Sequence, residues 1–289
     1  MSKKNKQFRE RINWKKELSL LPGYLILIIW IGFTAVILFW ILAASLSTSK
    51  EIFSGTVLKF ASGLHFENYK DAWQVQNVSR YFANSVLYSV VACVAVLLIS
   101  APASYALSRF EFAGNKALRF FMIIAMSLPA VMIVLPIYAF TASMHIKGRI
   151  ILILLYTFMN VPYTTIYLLN FFGTLSKTYE EAAMIDGCSL GRAFWTIMLP
   201  LVQPAIITVT VFNFLGVWNE FFMALIFATT EDTTPVGVGL LQIVNSMKYT
   251  GNYGGLFAAV IIVFLPTFIL YLFMSERIIS GVTGGGIKG

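Results

Sequence analysis

The sequence predicts an all-α membrane protein with six transmembrane helices, and three observations predict it. Of the residues, 58% are hydrophobic and only 12% are charged, against about a quarter charged in an ordinary soluble domain. Apolar runs of roughly 20 residues, long enough to cross a bilayer as helices, recur along the chain. The 21 Lys and Arg residues concentrate in the N-terminal tail and in short loops, which is how a topology signal is distributed. The net charge of +8 is therefore a membrane-orientation feature and does not mark a nucleic-acid surface.

Taken in order, residues 1–20 form a basic amphipathic segment, with Lys3, Lys4, Lys6, Arg9, Arg11, Lys15 and Lys16 against Glu10 and Glu17. Such a segment lies on anionic lipid. The apolar run after it is too long for a signal-peptide core and lacks a small-residue cleavage site, so it reads as an uncleaved anchor. Pro22 and Gly23 introduce span one, at 24–46. A water-exposed stretch, 47–83, places Trp73 and Tyr81 as interfacial aromatics. Span two covers 84–107. Span three, 118–141, contains Pro129 and Pro136, and span four, 150–172, contains Pro162. A polar segment, 173–204, separates it from span five at 205–229. A polar loop, 230–255, leads to span six at 256–275, and 276–289 form a glycine-rich tail.

Six spans put both termini on one side. Of the Lys and Arg residues, seven lie in the N-terminal tail, three in 108–119, two in 173–204 and two after 275, against seven in the opposite loops. The positive-inside bias assigns the termini and the 173–204 segment to the cytoplasm. Cys93, Cys188, His65 and His145 are too widely spaced for a metal cluster.

Glu220 is the acidic residue set well inside a span. A charge there has to face protein or water. Asn213 and Gly216 precede it by seven and four residues, which puts all three on one face of a continuous helix. Trp218 and Asn219 adjoin it. Two readings stay open. Glu220 lines a pathway for a polyhydroxylated solute, with an amide and an aromatic face beside it, or it is a buried carboxylate bonded to a neighbouring helix. Span four carries a second stripe, Asn160, Tyr163, Thr164 and Tyr167, at i, i+3, i+4 and i+7. Solute contact competes here with interhelical hydrogen bonding.

In the polar segment, Thr178 to Glu181 has capping-box spacing. Gly187 is a natural helix stop, Ser189 caps a second helix through about Met198, and Pro200 ends it. Helix, glycine turn and helix are thus predicted, with Gly187 and Pro200 bounding a short rigid unit. The small pair Ala182-Ala183 lets another surface approach closely. The alternative is an ordinary loop in which Glu181 serves only the cap.

Glu181-Ala182-Ala183, then Gly187, then Ile197-x-Leu199-Pro200 resembles the EAA loop of ABC-importer permeases. Ser104-Tyr-Ala-Leu-Ser-Arg-Phe-Glu-Phe-Ala-Gly114, Trp218-Asn-Glu-Phe221 and the end Ile287-Lys-Gly289 resemble the carbohydrate-importer branch, specifically the six-span partner of the maltose-type permease pair. The resemblance implies a type I importer permease that pairs with a second homologous permease, two cytosolic ATPase subunits and an extracytoplasmic solute-binding protein, and that moves a sugar. It assigns ATPase coupling to Glu181, Ala182, Ala183, Asp186, Gly187, Leu199 and Pro200, and a tail contact with the ATPases to Gly286 and Lys288. ATP and Mg would belong to the partner ATPase. The tail lacks the Gly-Lys-Ser/Thr ending of a phosphate loop, so no catalytic or nucleotide site is expected in this chain. The competing mechanism is a proton-coupled secondary transporter with Glu220 as proton carrier.

Overall fold

The structure is a computed structural model that describes residues 14–144, 146 and 148–284, the side chains of 14–18, 247–248 and 276–284 excepted. The basic residues of the N-terminal tail and the tail positions Gly286 and Lys288 lie outside the described residues. The described chain is built from helices: α1 (Trp14–Ser45), α2 (Ser49–Phe53), α3 (Glu67–Gln74), α4 (Val78–Arg109), α5 (Asn115–Ser127), α6 (Ala130–Ser143), α7 (Arg149–Thr174), α8 (Thr178–Ile185), α9 (Leu190–Ala193), α10 (Leu199–Leu201), α11 (Gln203–Trp218), α12 (Phe222–Phe227), α13 (Val236–Thr250) and α14 (Tyr253–Gly284).

Four stretches among the described residues are long and apolar enough to cross a bilayer as they stand: Ser19–Ser45, Val78–Arg109, Arg149–Thr174 and Tyr253–Ser275. The expected third span is instead two helices, α5 and α6, bent by 102°. Pro129 causes the break. It occupies the N-cap of α6, and Leu128 before it is extended at ψ 119°, the region to which a residue preceding proline is confined. The expected fifth span also differs. α11 joins the preceding helical run at a 75° bend and stops at Trp218, with α12 as a separate short helix. Counting each bent pair as one span gives six.

α4 and α7 form the most extensive helix pair. Ala92 of α4 shares a core cluster with Leu152, Leu155 and Tyr156 of α7, and Ala101 shares another with Leu168 and Phe172. Small residues let membrane helices approach closely, which is where packing energy comes from when lipid removes the hydrophobic drive. α11 lies against α4 and α14. α1 meets α14 near one end, where Trp40 stacks edge-on against Phe257.

One end of the bundle carries the 46–77 and 228–253 segments. Asn84 and Tyr88 donate to the carbonyls of Thr234 and Thr233, and Ser85 accepts from the Val236 N–H. These bonds seat α13, a helix where a polar loop was expected. Its Gly237 and Gly239 lower helix propensity, but Gly239 allows the backbone to touch the Tyr81 ring: a Cβ there would lie 2.2 Å from it. Gly254 is equally tight, under the Ser47 carbonyl and the Asn68 amide.

At the same end Glu51 closes a capping box with Thr48 and also accepts from the Ser62 N–H. These backbone hydrogen bonds, Thr48 first, hold its carboxyl at about 2, below the ordinary 4.5. A folded-state value below the unfolded one means the contribution is present above pH 4.5 and is lost as pH falls towards 2. We expect amide-exchange protection of Ser62 to fall across that window in the wild-type protein and to be flat across it in Glu51→Gln. Equal profiles would assign the protection to other contacts.

Candidate functional site

The opposite end of the bundle carries the segment from Leu175 to Val202. α8 begins at Thr178 with Lys177 as N-cap and no side-chain cap. Thr178 therefore sits inside the helix, its N–H bonded to Ser176 Oγ at 3.2 Å, and the expected capping box does not form. Glu181 is exposed and is not spent on a cap. The end of α8 follows the rules closely. The Cys188 N–H bonds back to Ala183 O at 2.9 Å and the Gly187 N–H to Met184 O at 3.0 Å, a Schellman pair with glycine at its left-handed position. Gly187 has φ +76° and open space where a Cβ would be, so conformation and not room demands glycine. Cys188 supplies the second backbone N–H of this motif.

Ser189 caps α9 by accepting from the Arg192 N–H, as expected. Pro200 does not end the second helix. A π-turn, Phe194–Met198, precedes it, with the Leu199 N–H bonded to Phe194 O, and the helical run continues to Leu201 before bending at Val202. Changing the hydrogen-bond register ahead of a residue without an N–H is one way to carry proline within a helical run. The unit turned at Gly187 is thus longer than expected.

α8 presents two faces. Ala183 and Glu180 are buried; Tyr179, Glu181, Ala182, Ile185 and Asp186 are exposed, Ile185 by 86%. Of the Ala182-Ala183 pair only Ala182 faces outward. Tyr179, Ala182, Asp186 and Ile197 border a depression of about 570 Å³ between α8 and the π-turn. Leu199 is half-buried and Pro200 exposed. Glu180 forms an ion pair with Arg109 at the end of α4, Nε to Oε1, at 3.0 Å.

The polar residues of the spans separate into two groups. Thr164 and Asn213 are buried and hydrogen-bond each other at 2.9 Å across α7 and α11. Trp218 is 2% exposed, stacks on Phe214 and donates its indole N–H to Val263 O. Asn160 donates to Tyr156 O in its own helix, and Tyr163 and Tyr167 lie ring to ring at 6.0 Å, half-buried. In this conformation Thr164, Asn213 and Trp218 are packing residues. Gly216 and Asn219 are exposed.

Glu220 does not share a helical face with Asn213 and Gly216, because α11 ends before it. Its carboxylate accepts from the Met223 and Ala224 N–H groups at 2.7 and 3.1 Å and from the Tyr156 hydroxyl at 3.0 Å. It caps α12 and ties the break to α7. Tyr156 and Glu180 have no signal of their own in the sequence. The weak clue to Glu180 is that adjacent glutamates on a helix point about 100° apart, so only one can serve an outer partner.

The chain combines bent and unbroken apolar helices with a polar helix–glycine–helix unit at one end, and no group of His, Cys, Asp and Glu fit for a metal lies among the described residues. The apolar helices mark a membrane-spanning protein. Residues 95–277 match the family described as binding-protein-dependent transport system inner membrane component, and the chain belongs to it. It is 33% identical over 267 residues to a diacetylchitobiose uptake system permease protein of Streptomyces coelicolor, covering 92% of this chain and 88% of the relative. It is 32% identical over 254 residues to a sulfoquinovosyl glycerol transport system permease protein of Agrobacterium fabrum, covering 86% and 87%. The fold matches a chain of a crystal structure described as a bacterial ABC transporter involved in the import of the acidic polysaccharide alginate. The TM-score there is 0.75 at 22% identity, over 89% of this chain and 97% of that one. As a family member the chain is a multi-pass membrane component of a transport complex with other subunits.

Tyr156→Phe removes one charged-acceptor hydrogen bond at the α11–α12 break. It should cost about 1–2 kcal/mol, read as a lower thermal midpoint in detergent. Glu220→Ala, which orphans two backbone N–H groups as well, should cost more.

Proposed function

We propose that this chain is one permease of an ATP-driven importer that moves a sugar or oligosaccharide into the cytoplasm by alternating access. The observation that carries the reading is the exposed face of α8, held by the Gly187 turn at the end of the membrane helices. That face is built to receive a partner surface. Its partners in this reading are a second homologous permease, two cytosolic ATPases that bind ATP and Mg, and an extracytoplasmic solute-binding protein. The charge asymmetry supports a cytoplasmic side for α8 and both termini. Exposed Gly216 and Asn219 then belong to a translocation face completed by the second permease. The relatives' named solutes, diacetylchitobiose and sulfoquinovosyl glycerol, share a polyhydroxylated surface, and that surface is the substrate class proposed here.

In this mechanism ATP binding closes the ATPases and their clefts carry the paired α8 helices together. The membrane helices rotate and the cavity opens outward to accept solute from the binding protein. Hydrolysis returns it to the inward state. The ATPase contact must differ in free energy between the two states, since a ligand shifts an equilibrium only by its differential affinity.

The test is uptake of radiolabelled diacetylchitobiose into vesicles holding the assembled complex. Uptake should require ATP and persist when an uncoupler collapses the proton gradient; loss with the uncoupler alone overturns the reading. Gly187→Val places a β-branched residue at positive φ, a strain of about 1–2 kcal/mol or more. It should abolish uptake or ATPase association, and normal values of both would overturn the role of α8.

A further inference from the structure

α8 is held to the rest of the chain in two unlike ways. Its inner face, where Ala183 is buried, rests on α9 and the π-turn; apolar contact is non-directional and permits sliding. Its other attachment is the Arg109–Glu180 ion pair. The two side chains are 6% and 9% exposed. Tyr105 stands at one turn's distance from Arg109 and packs against Phe110, Phe172 and Phe194, an aromatic wall beside the pair. Arg109 Nη2 also donates to Leu175 O at 2.8 Å, the residue that ends α7. One guanidinium therefore joins the end of α4, the end of α7 and α8.

A buried ion pair is poor evidence for stability, because desolvation offsets its attraction; its best-attested use is to fix register. Separating such a pair leaves a charge without a partner away from water. α8 thus cannot slide along α4 in small steps as an apolar contact would allow. Glu180 is also the one of two adjacent glutamates that faces inward, leaving Glu181 for the outer face. Since α4 and α7 are the most extensive pair in the bundle, a displacement delivered to Arg109 is delivered to the pair.

We propose that Arg109 and Glu180 are positioning residues that transmit motion of α8 into α4 and α7, so that their loss uncouples ATP hydrolysis from solute movement. This rests on the importer reading above.

The test uses the complete complex in proteoliposomes, with radiolabelled diacetylchitobiose uptake and ATP hydrolysis measured together. The double variant R109M/E180L replaces the pair by apolar side chains and avoids an unpaired buried charge. It should assemble with the ATPases, hydrolyse ATP at the wild-type rate and move roughly tenfold less solute per ATP, within the usual range of coupling energies. E180Q should show the same uncoupling with reduced thermal stability. An unchanged solute-to-ATP ratio in the double variant overturns the proposal alone. Failure of the double variant to assemble makes the pair a folding element and also overturns it. A wild-type complex without ATP-driven uptake overturns the importer reading and this proposal with it.

Discussion

The close contact of α4 with α7 is the constraint from which the remaining architecture follows. In a bilayer every backbone polar group has to be satisfied within the protein, and helices associate by packing and interhelical hydrogen bonds. Ala92 and Ala101 on α4 let Tyr156, Leu168 and Phe172 of α7 close on it. Other parts hang from this pair by specific polar ties. Thr164 brings in α11 through Asn213, and Asn84, Ser85 and Tyr88 seat the start of α13. At the other end Asn115 donates to the Leu107 and Phe110 carbonyls, which fixes the turn into α5.

This arrangement changes what the polar residues of the spans mean. Polarity inside lipid marks a cost that something must offset, and here much of it is offset by structure. Thr164 with Asn213, Trp218 with Val263 and Glu220 with the start of α12 are each closed interactions. A carboxylate that caps a helix inside the membrane replaces the water that would otherwise be needed where the backbone breaks. Gly216 and Asn219 remain exposed, the Asn219 amide donating to Leu215 O in its own helix.

The broad architecture was legible in the sequence because hydropathy integrates over long windows. The unbroken helices α1, α4, α7 and α14 each overlap an expected span. Gly187 and Ser189 were legible too, since their roles follow from backbone geometry within a few residues. What escaped depended on contacts distant in sequence. The break at Leu128-Pro129 looked like one of several tolerated prolines, and nothing local distinguishes it from Pro162, which stays inside α7. The end of α11 before Glu220 removed a face that an unbroken helix would have had. α13 was hidden by its glycines, of which Gly239 meets Tyr81. Glu180 became visible only when α8 was folded against Arg109.

The outer flank of α1 remains to be considered. Residues from Leu25 to Phe39 include Ile28, Ile29, Trp30 and Phe33, each more than 60% exposed, and its most apolar window has none of its residues buried in the chain. Exposed apolar side chains of this kind suit a hydrocarbon surround. Such a helix is stable in the bilayer as soon as it leaves the ribosome, before α4 and α7 exist to pair with it. α1 precedes α4 and α7 in the chain, so the later, bent segments enter a membrane in which a neighbouring helix already stands.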